Sequence, residues 1–170
     1  MATTIRSEAD VLVALQEAIG DKPGVLATAR GLSHFGEHAL GWMGLGTVGA
    51  LVDKQRRKQW IELAVAAFVS HAISVVVKRI VRRKRPHDER IKIGVGTPSK
   101  LSFPSSHATS TSAALVSLAK LTKNPLPLLG VPVMMISRMV LGVHYPTDVL
   151  TGAVVGAATA EAVARIGKAI

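Results

Sequence analysis

Apolar residues in this chain gather into long blocks, broken by short polar or basic stretches. The blocks fall at residues 32–52, 60–77, 105 to about 120–123, 125–143 and 146–165, and their internal interruptions are mostly small side chains. A helix crossing a hydrocarbon slab roughly 30 Å thick needs about 20 such residues. The pattern therefore predicts an all-α, polytopic membrane helical bundle of about five transmembrane helices. Pro127 and Pro132 interrupt the fourth block, which a bundle tolerates because neighbouring helices satisfy the freed carbonyls.

Ahead of the blocks, residues 7–19 place Val11, Leu12, Leu15 and Ile19 on one helical face and Glu8, Asp10 and Glu17 elsewhere, with Ser7 positioned as an N-cap. This N-terminal amphipathic helix is too polar to span. Asp21-Lys22-Pro23-Gly24 ends it, and it belongs on the membrane surface or packed over the bundle. The second block runs on as a basic stretch, residues 78–85, expected to stay helical until Pro86 stops it. The long loop 86–103 carries Gly94, Gly96 and Pro98 and is expected to be mobile until something orders it. In the last block Gly152, Gly156 and Ala160 recur every four positions, a spacing that lets membrane helices approach closely within the bundle.

At 170 residues, 48% of them hydrophobic, one domain is expected over 1–170, with 1–30 as its amphipathic N-terminal segment and 78–148 holding its chemistry. The start lacks the basic segment and apolar run of a cleaved leader, so the first span is expected to serve as the insertion signal. With 0 cysteines, disulfides, thiolate catalysis and cysteine-based zinc sites are excluded. The net charge of +10 sits at the ends of the apolar blocks, above all between Lys78 and Lys100. That placement suits anionic lipid headgroups and phosphate esters, and without a basic helix face or stacking aromatics no nucleic-acid partner is expected.

Three clusters carry candidate chemistry. Lys78 and Arg85, seven positions apart, fall within about 20° of one face if the helix continues, so they can grip an anion; Arg79, Arg82, Arg83 and Lys84 read as a solvated basic collar. Pro104-Ser105-Ser106-His107 opens a helix whose free amides and hydroxyls make a phosphate site, with His107 beside it as a proton donor or as a locally satisfied histidine. Arg138, near the end of a spanning block, costs several kcal/mol unless it faces the interior and binds something. His144 and Asp148 follow at a spacing of four, either a structural hydrogen bond or a nucleophile with its orienting carboxylate. Alternating spans place the connections after the second and fourth blocks on one membrane face, where all three clusters meet.

The run K78-x6-R85-P86, then P104-S-S-H107, then S137-R138-x5-H144-x3-D148 resembles the three-part signature of the type 2 phosphatidic acid phosphatase (PAP2) superfamily, whose core is shared with vanadium haloperoxidases. The resemblance implies His144 as the nucleophile forming a phosphohistidine, Asp148 orienting it and His107 as general acid. Lys78, Arg85, Arg138, Ser105 and Ser106 would hold the phosphate, with no metal or other cofactor. The family usually has glycine where Ser106 stands.

The stretches SHFGEHALGW and GTPSKLSFPSSHATST look like the actinobacterial branch acting on decaprenylphosphoryl-5-phosphoribose in cell-wall arabinan synthesis. The resemblance thus implies a multi-pass plasma-membrane phosphatase for a polyprenyl-linked phosphomonoester. Undecaprenyl diphosphate or phosphatidylglycerophosphate hydrolysis is the alternative, and a non-catalytic lipid-phosphate binding or transport protein the alternative of another class. Outside the clusters, His34, Glu37 and His38 near the start of the first span read as packing or helix-end residues, with contact to the substrate headgroup on the active face as the alternative, His71 as a core histidine and His87 as solvated.

Overall fold

The computed structural model describes residues 5–169; the ends of the expected 1–170 domain, residues 1–4 and 170, lie outside the described residues. Seven α-helices occur among these residues: α1 Glu8–Leu15, α2 Val25–Phe35, α3 Leu40–Val52, α4 Arg57–Val81, α5 Ser106–Thr122, α6 Gly130–Val140 and α7 Pro146–Ala169. No strand longer than the isolated Lys84–Leu101 bridge is present among the described residues.

α4 explains the bundle best, because its polarity is reversed. Its buried face reads Leu63, Ala66, Ala67, Ser70, Ser74 and Lys78, while Phe68 (59% exposed) and Ile80 (73%) point outward with Ile61, Val65, Ile73 and Val76. α5 likewise buries Thr109, Ser110, Thr111 and Ser112, and α7 exposes Leu150, Val154 and Ile166. Large apolar side chains outside and small or hydroxylated ones inside suit a hydrocarbon solvent rather than water.

Small residues set how close the helices come. A Cβ on Gly156 would sit 2.1 Å from the Thr109 carbonyl oxygen, and one on Gly152 would sit 2.8 Å from that of Ser105. With Ala160 also buried, the four-residue stripe faces α5 inside the bundle. α5 is thereby clasped between α7 and α4, and α3 packs on the other side of α4.

Several expectations change. Among the described residues two helical stretches are long and apolar enough to cross a membrane by themselves, Lys54–Val81 and Pro146–Ala169; Leu126–Val140 is a shorter apolar stretch. The first block does not begin a continuous helix at residue 32. α2 ends at Phe35, and His38 (φ 49°) and Ala39 (φ 61°) turn the chain through the left-handed region before α3 starts at Leu40. The basic stretch also leaves the helix early: α4 stops at Val81, with Arg82 (φ 55°) as its left-handed cap, four residues before Pro86. Lys78 and Arg85 therefore share no helical face.

The 86–103 loop is tied down. The Gln16 amide donates to the carbonyls of Lys92 (2.7 Å) and Val140 (2.8 Å) and accepts from the Lys92 N–H (3.0 Å), while Gly94 N–H donates to the Leu141 carbonyl (3.0 Å). Arg90 pairs with Asp10 at 2.9 Å, so the amphipathic N-terminal helix packs over the bundle as a strap. Leu12 and Val13 bury themselves against Ile91, Met139 and Tyr145 beneath it. Loop order comes from these long-range bonds, which a glycine count does not register.

Candidate active site

Pro104 and Ser105 break the chain into α5. Ser105 takes the N-cap, its hydroxyl accepting from the Ala108 N–H at 3.4 Å, and its own N–H donates to the Asp148 carbonyl at 2.9 Å. Ser105 is thus consumed in joining α5 to the start of α7 and does not line the cavity beside it. Ser106 does line it, hydrogen-bonded to the Ser74 hydroxyl at 2.7 Å. The serine in the usual glycine position is therefore accommodated by a hydroxyl partner on α4.

That cavity, about 200 Å³, is where the clusters meet: Lys78, Arg85, Ser106, His107, Arg138 and His144 all contribute to its wall. Lys78 Nζ is anchored by the carbonyls of Ser102 (2.9 Å) and Pro104 (2.6 Å). Arg85 arrives from the extended segment after α4, with Nε on the Ser99 carbonyl (2.8 Å) and Nη1 on the Val143 carbonyl (2.8 Å). Arg138, 2% exposed, donates from Nη1 to the Ser33 hydroxyl at 2.7 Å, while its Nε is buried without a partner. Three cations around one small cavity have room for a compact multivalent anion and little reason otherwise to be buried.

His144 sits at the back, 2% exposed. Arg85 Nη1 lies 3.1 Å from its Nε2, and a guanidinium can only donate, so Nε2 presents its lone pair. The proton then resides on Nδ1, which faces Asp148 Oδ2 at 3.6 Å, an ion-pair separation longer than a hydrogen bond. Burial, reinforced by Arg85, Arg138 and Lys78, holds the ring well below the usual imidazole range, so it is neutral at neutral pH. Burial also pushes Arg85 down to about 10, still charged.

Asp148 is itself held in place. Oδ2 accepts the Tyr145 N–H at 2.8 Å and Oδ1 accepts Arg83 Nη1 at 3.0 Å; Arg83 also pairs with Glu8 and lies 4.2 Å above the Tyr145 ring. Arg83 is not a solvated collar residue, and sequence spacing could not have found it, because its partner lies 65 positions away.

His107 Nε2 lies 2.9 Å from the Ser33 carbonyl, which can only accept, so Nδ1 is the nitrogen left for a ligand. Ser33, expected near the start of the first span, lies instead toward the end of α2 and thereby serves two site residues. Glu37, His38 and His71 also line the cavity, whereas His34 and His87 are exposed. His38 and His71 stack edge-on at 5.7 Å, and His71 Nδ1 is buried without a partner.

Residues 59–169 match the sequence profile of the PAP2 superfamily. The chain is 52% identical over 162 residues to the decaprenylphosphoryl-5-phosphoribose phosphatase of Mycobacterium tuberculosis (strain CDC 1551 / Oshkosh), covering 95% of this chain and 92% of that one. It is 56% identical over 152 residues to the protein of the same name from Mycolicibacterium smegmatis, covering 89% and 84%. Its fold is similar to the crystal structure of a transmembrane PAP2-type phosphatidylglycerolphosphate phosphatase from Bacillus subtilis, with a TM-score of 0.75 at 21% identity over 99% of this chain and 90% of that one.

Proposed function

This chain belongs to the PAP2 superfamily, and from that premise we propose that it is an integral membrane phosphatase removing phosphate from decaprenylphosphoryl-5-phosphoribose, with decaprenylphosphoryl ribose as the lipid product. The carrying observation is a buried, neutral His144, its Nε2 accepting from Arg85, in the wall of a cavity that it shares with Lys78, Arg85 and Arg138. The two mycobacterial relatives supply the substrate.

In this reading the cations hold the phosphate oxygens, with the Ser106 hydroxyl, while His144 Nε2 attacks phosphorus. The N–P bond forms as the ester P–O bond breaks, and His107, doubly protonated beside the bound phosphate dianion, gives the leaving oxygen its Nδ1 proton. His107 next takes a proton from water; the hydroxide displaces His144 from phosphorus, releasing phosphate and regenerating both histidines. Charge-assisted hydrogen bonds of roughly 1.5 to 3 kcal/mol each stabilise the transferring group without a metal. Asp148 keeps the His144 proton on Nδ1.

We read the protein as a multi-pass protein of the bacterial plasma membrane with about five spans, in which the shorter α3, α5 and α6 cross beside α4 and α7. The breaks before α3 and α6 are tolerable where protein rather than lipid covers them. The lipid tail then lies against the exposed apolar faces.

The test is phosphate release by detergent-purified protein from a prenylphosphoryl-5-phosphoribose, in EDTA, with phosphatidylglycerophosphate and undecaprenyl diphosphate as competing substrates. Preferred hydrolysis of the phosphoribosyl lipid, lost in His144→Ala, supports the proposal. Equal release by variant and parent sinks the catalytic assignment, and preference for either competitor sinks the substrate.

A further inference from the structure

The segment that closes the cavity lies outside the stretch shared with the family profile, which begins at residue 59. Ser33, Gly36, Glu37 and His38 come from the end of α2 and the turn before α3, and they are built against the reaction centre. A Cβ on Gly36 would sit 2.7 Å from His107 Cδ2, so the backbone there rests directly on the imidazole. Ser33 holds Arg138 and His107 at 2.7 and 2.9 Å. With that anchor fixed, the left-handed conformations of His38 and Ala39 turn the chain so that Glu37 and His38 form the cavity wall before α3 departs.

Among the described residues Glu37 is the only acidic side chain lining this cavity, beside Lys78, Arg85 and Arg138. A carboxylate repels a dianionic phosphate, so it adds nothing to holding the reacting group. Its contact with His38 is loose, 3.7 Å between Glu37 Oε1 and His38 Nε2, and the buried Nδ1 of the adjoining His71 has no partner. An acid, an imidazole and an unsatisfied ring nitrogen on one wall form a set of acceptors and donors matched to hydroxyl groups.

We propose that Glu37, with His38, determines specificity by hydrogen-bonding the hydroxyls of a polyol carried next to the scissile phosphate. The phosphate end is generic, and this wall reads what the phosphate is attached to. The inference rests on the phosphoribosyl-lipid reading and adds to it the residues that recognise the sugar.

The experiment compares a prenylphosphoryl-5-phosphoribose with its 2,3-dideoxy analogue, using parent, Glu37→Ala and Glu37→Gln proteins in detergent. A site built to bond a substrate hydroxyl discriminates strongly against the analogue lacking it, so the parent should favour the hydroxylated lipid by about tenfold or more in kcat/KM. In Glu37→Ala that ratio should collapse toward one, with Glu37→Gln in between. A ratio that Glu37→Ala leaves unchanged overturns the inference while the substrate reading stands. A parent that turns over neither phosphoribosyl lipid overturns the substrate reading itself. A parent that hydrolyses both equally leaves the phosphatase intact and overturns the inference.

Discussion

Arg83 Nη1 lies 3.0 Å from Asp148 Oδ1, joining a residue just past the end of α4 to a fully buried carboxylate in the first turn of α7. Arg83 is in turn braced by Glu8, which accepts from the Thr147 N–H at 2.9 Å and its hydroxyl at 2.7 Å. The strap α1 thus reaches the carboxylate behind His144 through two ion pairs.

Arg83→Ala should therefore lower kcat while changing KM little, because Arg83 touches Asp148 and not the cavity. Losing a charge-assisted bond of roughly 1.5 to 3 kcal/mol corresponds to about ten- to a hundredfold. Glu8→Gln should produce a smaller fall in the same parameter. A rise in KM with kcat preserved would place Arg83 in substrate binding instead.

Removing His107 should separate leaving groups. General-acid assistance is worth about 10²–10⁴-fold for an alkoxide and far less for a phenolate that departs unaided. His107→Ala should accordingly lose much more activity on a lipid phosphomonoester than on p-nitrophenyl phosphate. Equal losses on both substrates would argue that His107 only packs against Gly36 and Ser33.

The pH profile carries a sign. Burial, then Arg85, Arg138 and Lys78, depress His144 below its ordinary 6.5, so the ring stays neutral as pH falls through that value. The acid limb of kcat/KM assigned to His144 should lie below 6.5 and move up toward it in Arg85→Gln, which removes one cation. Stability follows the same sign. The unfolded chain binds this proton near 6.5 and the folded chain does not, so stability present above that pH is lost as pH falls below it. An acid limb unmoved by Arg85→Gln would disprove the coupling.

The α5–α7 contact leaves no space for a side chain. Gly156→Ala places a Cβ 2.1 Å from the Thr109 carbonyl oxygen, and overpacking of this kind costs about 1–3 kcal/mol. Thermal unfolding in detergent should shift down for Gly156→Ala and hardly at all for Gly44→Ala, where a Cβ meets nothing within 4 Å.

Gln16→Ala should free the loop over the cavity. The side chain makes three bonds to the Lys92 and Val140 backbone, and without them the Lys92 amide should exchange hydrogen faster. Unchanged exchange would mean that the Arg90 and Gly94 contacts hold the loop alone.

The apolar blocks and the residues that meet at the cavity were legible in the chain because both are local. A spanning run is a property of contiguous composition, and Lys78, Arg85, Ser106, His107, Arg138 and His144, with Asp148 behind the last, stand out as charged or protic groups beside apolar stretches. Lys78 and Arg85 do not meet along a shared helical face, since α4 ends at Val81; they meet because Arg85 returns from the segment after α4 against Val143 and His144.

Hydrophobic pattern and residue type by themselves determined an all-helical chain with its reactive groups gathered near block ends. Only the tertiary structure decided that Ser105 is spent as a cap, that Arg83 serves Asp148, that Ser33 and Glu37 enter the site from α2 and the turn after it, and that Gln16 orders the long loop. Each of these depends on a partner distant in sequence or on a backbone turn through positive φ, and neither leaves a periodic trace for a reading of the chain to detect.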